Sequence, residues 1–149
     1  QRSVLLDAPR QYAISQKHKH LKEMQHITGL KKPPVFCPVV ADFYSGMVVT
    51  VPLFKEDLAD NISMEDVKEI YRSRYKGSVV RFQENISQSG FLSANSYSGK
   101  DSMCLAVEGN QDRILLLAVY DNLGKGASGA AVQCLNLVMD QDTAFGLIL

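Results

Sequence analysis

The 149-residue sequence lacks tryptophan, has only three cysteines, carries no net charge and contains no long apolar run. Because Cys37, Cys104 and Cys134 lie far apart, the sequence predicts neither a disulfide framework nor a zinc ribbon. Sparse thiols of this kind are typical of a cytoplasmic protein. The balance of 16 basic and 16 acidic side chains argues against a nucleic-acid partner. No segment reaches the roughly 18 apolar residues that cross a bilayer, so we expect no membrane partner.

What the sequence does contain is an ordinary supply of core-forming residues. Hydrophobic residues make up 46% of the chain and charged residues 21%, which is close to the average of globular proteins. A chain of this length closes one well-filled core or two very small ones. We therefore expect a globular fold.

Three segments have the spacing and end signals of helices. Ser15 has the residue type of an N-cap for the first, which we expect to end at Gly29. Ser63 and Asp66 have the spacing of a capping box at the start of the second. The third has a narrow stripe of small residues, which suits close approach to another backbone. The predicted helices cover residues 16–28, 64–77 and 127–138. The apolar stripe of the second comprises Met64, Val67, Ile70, Tyr71 and Tyr75.

β-branched and aromatic residues concentrate in strand-like segments between these helices. The polar stretch 83–101 predicts a long surface loop, and the pair Gly109-Asn110 predicts a hairpin. Residues 113–120 are apolar almost throughout, so we expect that strand to be buried on both faces. The predicted strands are one before Asp42 and then 47–53, 79–82, 103–107 and 113–120. This order of elements predicts an α+β domain with a mixed or antiparallel sheet and helices on one face.

The first candidate for chemistry is the run Lys17-His18-Lys19-His20. It is compatible with the basic, solvated start of a helix. A metal site needs two imidazoles on one face and a third ligand, and no third ligand is evident, so no metal site is predicted. A catalytic role needs one imidazole that titrates near neutral pH in a pocket.

The second candidate is the glycine-rich segment 121–129, which follows a strand and opens a helix. That geometry can present backbone amides to an anion, although a plain turn explains the same pattern. The glycine spacing matches neither a P-loop nor the dinucleotide-binding fingerprint.

At this segment the sequence resembles a known family. Residues 121–137, DNLGKGASGAAVQCLNL, resemble the C-terminal signature of N-acetyl-gamma-glutamyl-phosphate reductases, and aspartate-semialdehyde dehydrogenases carry a looser version. Tyr12 followed by His18-Lys19-His20 is similar to a second element of the same reductases. The segment 36–40, FCPVV, stands where the family has a proline-containing strand.

The resemblance implies a fold and a domain organisation. Residues 1–149 would form a single substrate and dimerisation domain, like the C-terminal domain of glyceraldehyde-3-phosphate dehydrogenase. An N-terminal Rossmann domain would lie outside this chain, with residues 121–139 packed on it. Homo-oligomers are implied as well.

The resemblance also implies an activity in arginine biosynthesis. Such enzymes use NADPH to reduce N-acetyl-glutamyl phosphate to N-acetylglutamate semialdehyde and phosphate through a cysteine thioester. By position, His18 matches the residue that handles protons, and Tyr12 and His20 match residues of the substrate pocket. Asn122 and Lys125 match the turn near the nicotinamide of NADP, whose other contacts would come from the Rossmann domain.

Two departures from the family pattern leave alternatives open. The chain has neither the glycine fingerprint nor a cysteine in the context of the family's nucleophile, so we expect it to be inactive alone. The segment 43–47, around Ser45, stands where many members have an Arg-Gly pair, so a lysine-biosynthesis or aspartate-semialdehyde-type substrate is an alternative. A non-catalytic dimerisation or binding domain is another.

Overall fold

The computed structural model describes residues 3–149 and divides the chain into two compact units, Gln1–Tyr44 and Ser45–Leu149. The first contains a 3₁₀ turn and the elements β1 (Arg10–Gln11), α1 (His20–Thr28) and β2 (Val39–Val40). The second contains β3 (Met47–Phe54), α2 (Met64–Arg74), β4 (Val80–Phe82), β5 (Met103–Gly109), β6 (Arg113–Tyr120) and α3 (Gly129–Val138).

In the N-terminal unit, β1 pairs with β2 in antiparallel register, and α1 is shorter than predicted. It begins at His20 rather than at Gln16, and Ser15 does not cap it. The reason is the backbone of Gln16, whose φ of 54° lies in the left-handed region and cannot belong to a right-handed helix. The predicted end is confirmed, because Gly29 closes α1 with a left-handed φ of 70°.

The C-terminal unit is built on a four-stranded sheet in the order β3-β6-β5-β4. β3, β6 and β5 are antiparallel, and β4 joins β5 in parallel, so the predicted α+β class with a mixed sheet is confirmed. The predicted strands and the hairpin at Gly109 are confirmed to within a few residues.

The prediction that β6 is buried on both faces along its length is wrong. Ile114 is fully buried and Val119 is 1% exposed, but Leu115 is 37% exposed. Successive strand residues point to opposite faces. The face of Val119 is therefore buried towards the end of β6 and exposed at Leu115, while the face of Ile114 is fully buried at that residue and partly buried along the rest of the strand.

Helix α2 packs against one end of the sheet. Its predicted capping box is present, with Ser63 and Asp66 bonded reciprocally. Val67 packs with Val107 and Ile114 in the core cluster. Ile70 belongs to the predicted apolar stripe but is 57% exposed. The side of the helix that packs on the sheet is therefore narrower than the stripe. α2 ends at Arg74, before the predicted Gly77.

Helix α3 follows a π turn, Gly124–Ser128, and shows the close approach that its small residues predict. A Cβ added to Gly129 would stand 2.4 Å from the Asp101 carboxylate, so only glycine fits there. The apolar side of α3 remains exposed, with Leu135 at 55% and Val138 at 85%. Over residues 3–149, no helix has the length and apolar character to cross a membrane.

Candidate functional site

Three of the predicted site residues meet in the N-terminal unit. The His18 ring lies 4.6 Å from the His20 ring and 5.9 Å from the Tyr12 ring, measured between centroids. Phe36 completes the group, with its ring 5.3 Å from that of His18. Most of these contacts are edge-on, the arrangement that aromatic quadrupoles favour. We call Tyr12, His18, His20 and Phe36 the histidine–aromatic cluster.

Gln16 holds this cluster together by a device that the sequence analysis missed. Its side-chain amide pairs with the backbone of Phe36 as a strand would, donating from Nε2 to the carbonyl at 2.7 Å and accepting the N–H at 2.9 Å. The backbone N–H of Tyr12 donates to the Pro38 carbonyl at 3.0 Å. In the sequence this contact shows only as a polar residue between two aromatic segments. That pattern is too common to predict a hydrogen bond between side chain and backbone.

The backbone at the start of α1 determines the proton position on neutral His18. The His20 N–H donates to Nδ1 of His18 at 3.3 Å, so this nitrogen presents a lone pair. In the neutral ring the proton therefore lies on Nε2, which can donate to a ligand. His20 itself faces the Glu23 carboxylate at 3.8 Å and has a side chain 46% exposed.

The histidine–aromatic cluster lies on an open surface, with Tyr12 43% exposed and His18 half-buried. A depression of about 270 Å³ occurs elsewhere in the same unit. It is lined by Leu6, Ala8, Arg10, Ala41 and Asp42. None of these was predicted as a site residue.

The glycine-rich segment of the C-terminal unit is organised around a buried carboxylate. Asp121 is 3% exposed and accepts hydrogen bonds from the backbone N–H groups of Gly99 at 2.5 Å and Leu123 at 2.7 Å. It also accepts from the Ser45 hydroxyl at 2.7 Å and from the Gly124 N–H at 3.2 Å. Burial raises the pKa of Asp121, but these hydrogen bonds outweigh burial and hold the pKa below its ordinary value.

This arrangement favours the plain turn over an anion cradle. The N–H groups of Leu123 and Gly124 are occupied by Asp121. Those of Gly126 and Ser128 donate to backbone carbonyls of the same turn. Close packing against the Lys100 carbonyl explains why residue 124 is glycine, since an added Cβ would lie 2.3 Å from that oxygen.

The two predicted cofactor-binding residues of this turn have different partners. Oδ1 of Asn122 accepts the Gly46 N–H at 2.8 Å, which leaves its Nδ2 on the opposite side of the carboxamide. Within residues 3–149 no acceptor is found for that Nδ2. Nζ of Lys125 donates to Oε1 of Gln133 at 2.6 Å and retains two further N–H donors. Both side chains can therefore donate to the acceptor oxygens of a nicotinamide cofactor.

The three thiols differ in their exposure. Cys104 is buried, and burial raises the pKa of its thiol, which makes it a poor nucleophile. Cys37 and Cys134 are exposed and free. In the part of the chain that the structure describes, no group of at least three His, Cys, Asp or Glu side chains is placed to hold a metal ion.

Comparison with known proteins gives the chain a family. A family model described as the dimerisation domain of semialdehyde dehydrogenase matches residues 2–122, which include all the predicted site residues except Lys125. N-acetyl-gamma-glutamyl-phosphate reductase of Allorhizobium ampelinum is 41% identical over 134 residues, and that of Sinorhizobium fredii is 40% identical over 131. Each alignment covers 86% of this chain. The chain spans 43% and 42% of the length of these two curated relatives.

A solved structure gives the same fold. Aspartate semialdehyde dehydrogenase II from Vibrio cholerae matches with a TM-score of 0.59 and 20% identity, covering 91% of this chain and 41% of that chain. At this identity the likeness shows the fold alone, and it confirms the fold that the sequence resemblance implied. The chain belongs to the dimerisation-domain family of the semialdehyde dehydrogenases.

Proposed function

We propose that this chain is the C-terminal catalytic and dimerisation part of an NADPH-dependent reductase. The reductase converts N-acetyl-glutamyl phosphate to N-acetylglutamate semialdehyde and phosphate. The observation that carries the proposal is the 40–41% identity, over 86% of the chain, to proteins named N-acetyl-gamma-glutamyl-phosphate reductase. The convergence of Tyr12, His18 and His20 supports it, because a proton-handling imidazole needs polar and aromatic neighbours that orient it.

In this proposal His18 is the acid–base residue. Its neutral ring carries a proton on Nε2, so it can donate a hydrogen bond to the acyl oxygen. Transfer of a proton to a departing group requires the imidazolium form of the ring, which returns to neutral imidazole in that step. Tyr12 and His20 flank the ring and offer a hydroxyl and an imidazole to the substrate. The attacking thiol is expected from another part of the protein, since Cys104 is buried and neither Cys37 nor Cys134 stands in the sequence context of the family's nucleophile.

The proposed cofactor contacts are Asn122 and Lys125. The free donor of Asn122 suits a carboxamide oxygen, and Lys125 suits a phosphate or hydroxyl oxygen. When bound, NADPH supplies the hydride of the reduction. Most of its contacts are expected from a Rossmann domain, which would also cover the exposed apolar side of residues 121–139.

The description of the family as a dimerisation domain supports a homo-oligomer. We place the interface on the sheet face that α2 packs against, beyond the end that α2 covers, where Met47, Val49 and Val51 are 37%, 40% and 47% exposed. An apolar face of this kind is typical of a surface covered by a partner. Val49→Lys should therefore shift the protein towards monomer in sedimentation, whereas Thr50→Lys, on the opposite face of the same strand, should not.

A cytoplasmic location belongs to the same proposal. Its support is the presence of three free thiols, which persist in a reducing compartment.

The decisive experiment compares the complete gene product with this chain. The complete protein should oxidise NADPH in the presence of N-acetyl-glutamyl phosphate, and this chain alone should show no turnover. Aspartyl phosphate and a carrier-bound acyl phosphate should be poor substrates in the same assay. Turnover by this chain alone, or preference for another acyl phosphate, would contradict the proposal. Dimerisation without any reductase activity of the complete protein would favour a non-catalytic domain, a role that the family description also allows.

A further inference from the structure

The cofactor-binding role proposed for Asn122 requires its carboxamide to have one defined orientation. A backbone N–H can only donate, so the Gly46 N–H at 2.8 Å identifies the facing atom as oxygen and places Nδ2 away from it. Gly46 is itself confined. Its φ is +117°, and an added Cβ would lie 2.3 Å from the Ala94 carbonyl oxygen. The orientation of Asn122 therefore depends on whatever fixes Gly46 beside the turn.

The neighbour of Gly46 supplies that connection. The Ser45 hydroxyl donates to Oδ2 of Asp121 at 2.7 Å and lies 2.6 Å from the Ser98 hydroxyl. The same Oδ2 accepts the Gly99 N–H, while Oδ1 accepts from the two residues that follow Asn122. One carboxylate thus joins residues 45–46, 98–99 and 123–124.

We propose that Asp121 is a positioning residue that holds Asn122 with its Nδ2 turned outward as a hydrogen-bond donor. Asp121 does not itself reach a ligand, because it is 3% exposed and its oxygens are occupied from three segments. It acts through Ser45 and Gly46 on one side and through the turn on the other. The inference rests on the proposed function only in assigning a cofactor to that donor.

The experiment is amide hydrogen exchange by NMR on this chain, with Asp121→Asn as the main variant. The new NH₂ group must face the N–H of either Gly99 or Leu123, and because both groups are donors, that hydrogen bond is lost. We therefore expect the hydrogen bonds around residue 121 to open locally. We expect exchange of the Gly46 and Gly99 amides to accelerate about 10- to 100-fold, with β6 amides such as that of Ile114 changing much less. The side-chain NH₂ resonances of Asn122 should shift as well.

Asp112→Asn is the matched control, because this exposed carboxylate lies at the far end of the sheet, in the β5–β6 turn. It should leave the Gly46 amide unchanged. If Asp121→Asn does not fold, Ser45→Ala tests the same inference, because it removes only one hydrogen bond from the Asp121 carboxylate. For that variant we expect about fivefold faster exchange at Gly46.

Two results would overturn the inference. One is an unchanged Gly46 amide and unchanged Asn122 resonances in the folded variants. The other is an equal acceleration of all amides, including those of β6, which would show that Asp121 contributes only to global stability. Failure of the complete protein to reduce an acyl phosphate would instead refute the proposed function. The exchange results would still test whether Asp121 positions Asn122.

Discussion

Around Asp121, four hydrogen-bond donors from three chain segments surround one buried carboxylate, whereas around His18 aromatic rings pack in T-shaped and tilted contacts on an open surface. The first arrangement is almost fully buried, and both carboxylate oxygens are hydrogen-bonded. The second leaves a titratable ring accessible and holds it by a few weak contacts. The two regions therefore differ in what they offer: the first fixes the orientation of its groups by hydrogen bonds, and the second leaves an imidazole accessible to a ligand, as the proposed roles of Asn122 and His18 require.

Among substitutions in these two regions, we expect the largest effect from one at His18, and we expect it on catalysis. In the complete enzyme, His18→Gln should lower kcat by about 10²- to 10⁴-fold, because a carboxamide at this position cannot transfer a proton. The free energy of unfolding should change by less than about 1 kcal/mol, since the ring is only half-buried. Steady-state kinetics and urea unfolding measure the two quantities. The control is His26→Gln, an exposed histidine in the last turn of α1, and a comparable loss there would contradict the assignment.

Asp121→Ala should show the opposite balance, with its main effect on stability. Four donors would lose their acceptor in a buried site, and we expect a loss of about 3–5 kcal/mol in the free energy of unfolding. Urea unfolding of this chain measures it. Asp112→Ala, which removes an exposed carboxylate, should change stability by less than about 0.5 kcal/mol. Equal effects of the two substitutions would show that the buried hydrogen bonds contribute nothing net.

The contribution of Asp121 should also depend on pH in a defined direction. Its folded-state pKa lies below the ordinary value of 3.8, so the carboxylate stabilises the fold fully above that value and progressively less as pH falls through the folded pKa. The difference in unfolding free energy between wild type and Asp121→Asn should be constant near neutral pH and shrink below pH 3.8. Urea unfolding at a series of pH values measures this difference. A difference that grows on acidification would contradict the sign.

The smallest effect is expected at Gln16. Gln16→Ala removes both hydrogen bonds to the Phe36 backbone, and because the site is exposed we expect a cost of about 1 kcal/mol or less. Nuclear Overhauser contacts between the His18 and Phe36 rings should weaken. Gln11→Ala, a neighbouring glutamine in β1, serves as the control and should preserve those contacts. Unaltered ring contacts in Gln16→Ala would mean that the rings alone hold the cluster.

The parts of the fold that were predictable are those with local causes. The capping box of Ser63 and Asp66, the left-handed end of α1 at Gly29 and the β5–β6 hairpin each depend on residues close in sequence. The start of α1 was mispredicted because Gln16 bonds to Phe36, twenty residues away, and no local pattern reports that contact. The exposure of Ile70 and Leu115 was missed for the same reason, since burial depends on what covers each face.

By itself, the sequence determined the α+β class, because periodicity and turn signals are properties of the chain alone. Its resemblance to the reductases indicated the family and the candidate residues Tyr12, His18, His20, Asn122 and Lys125. Only the tertiary structure decided that the turn's amides are occupied by Asp121, that neutral His18 carries its proton on Nε2, and that Asn122 presents a donor. The physical reason is that a hydrogen bond selects one tautomer or one carboxamide orientation through the partner it meets. For Asn122 that partner, Gly46, lies 76 residues away, whereas for His18 and the turn amides it lies two or three residues along the chain, at a distance and angle that only the folded backbone sets.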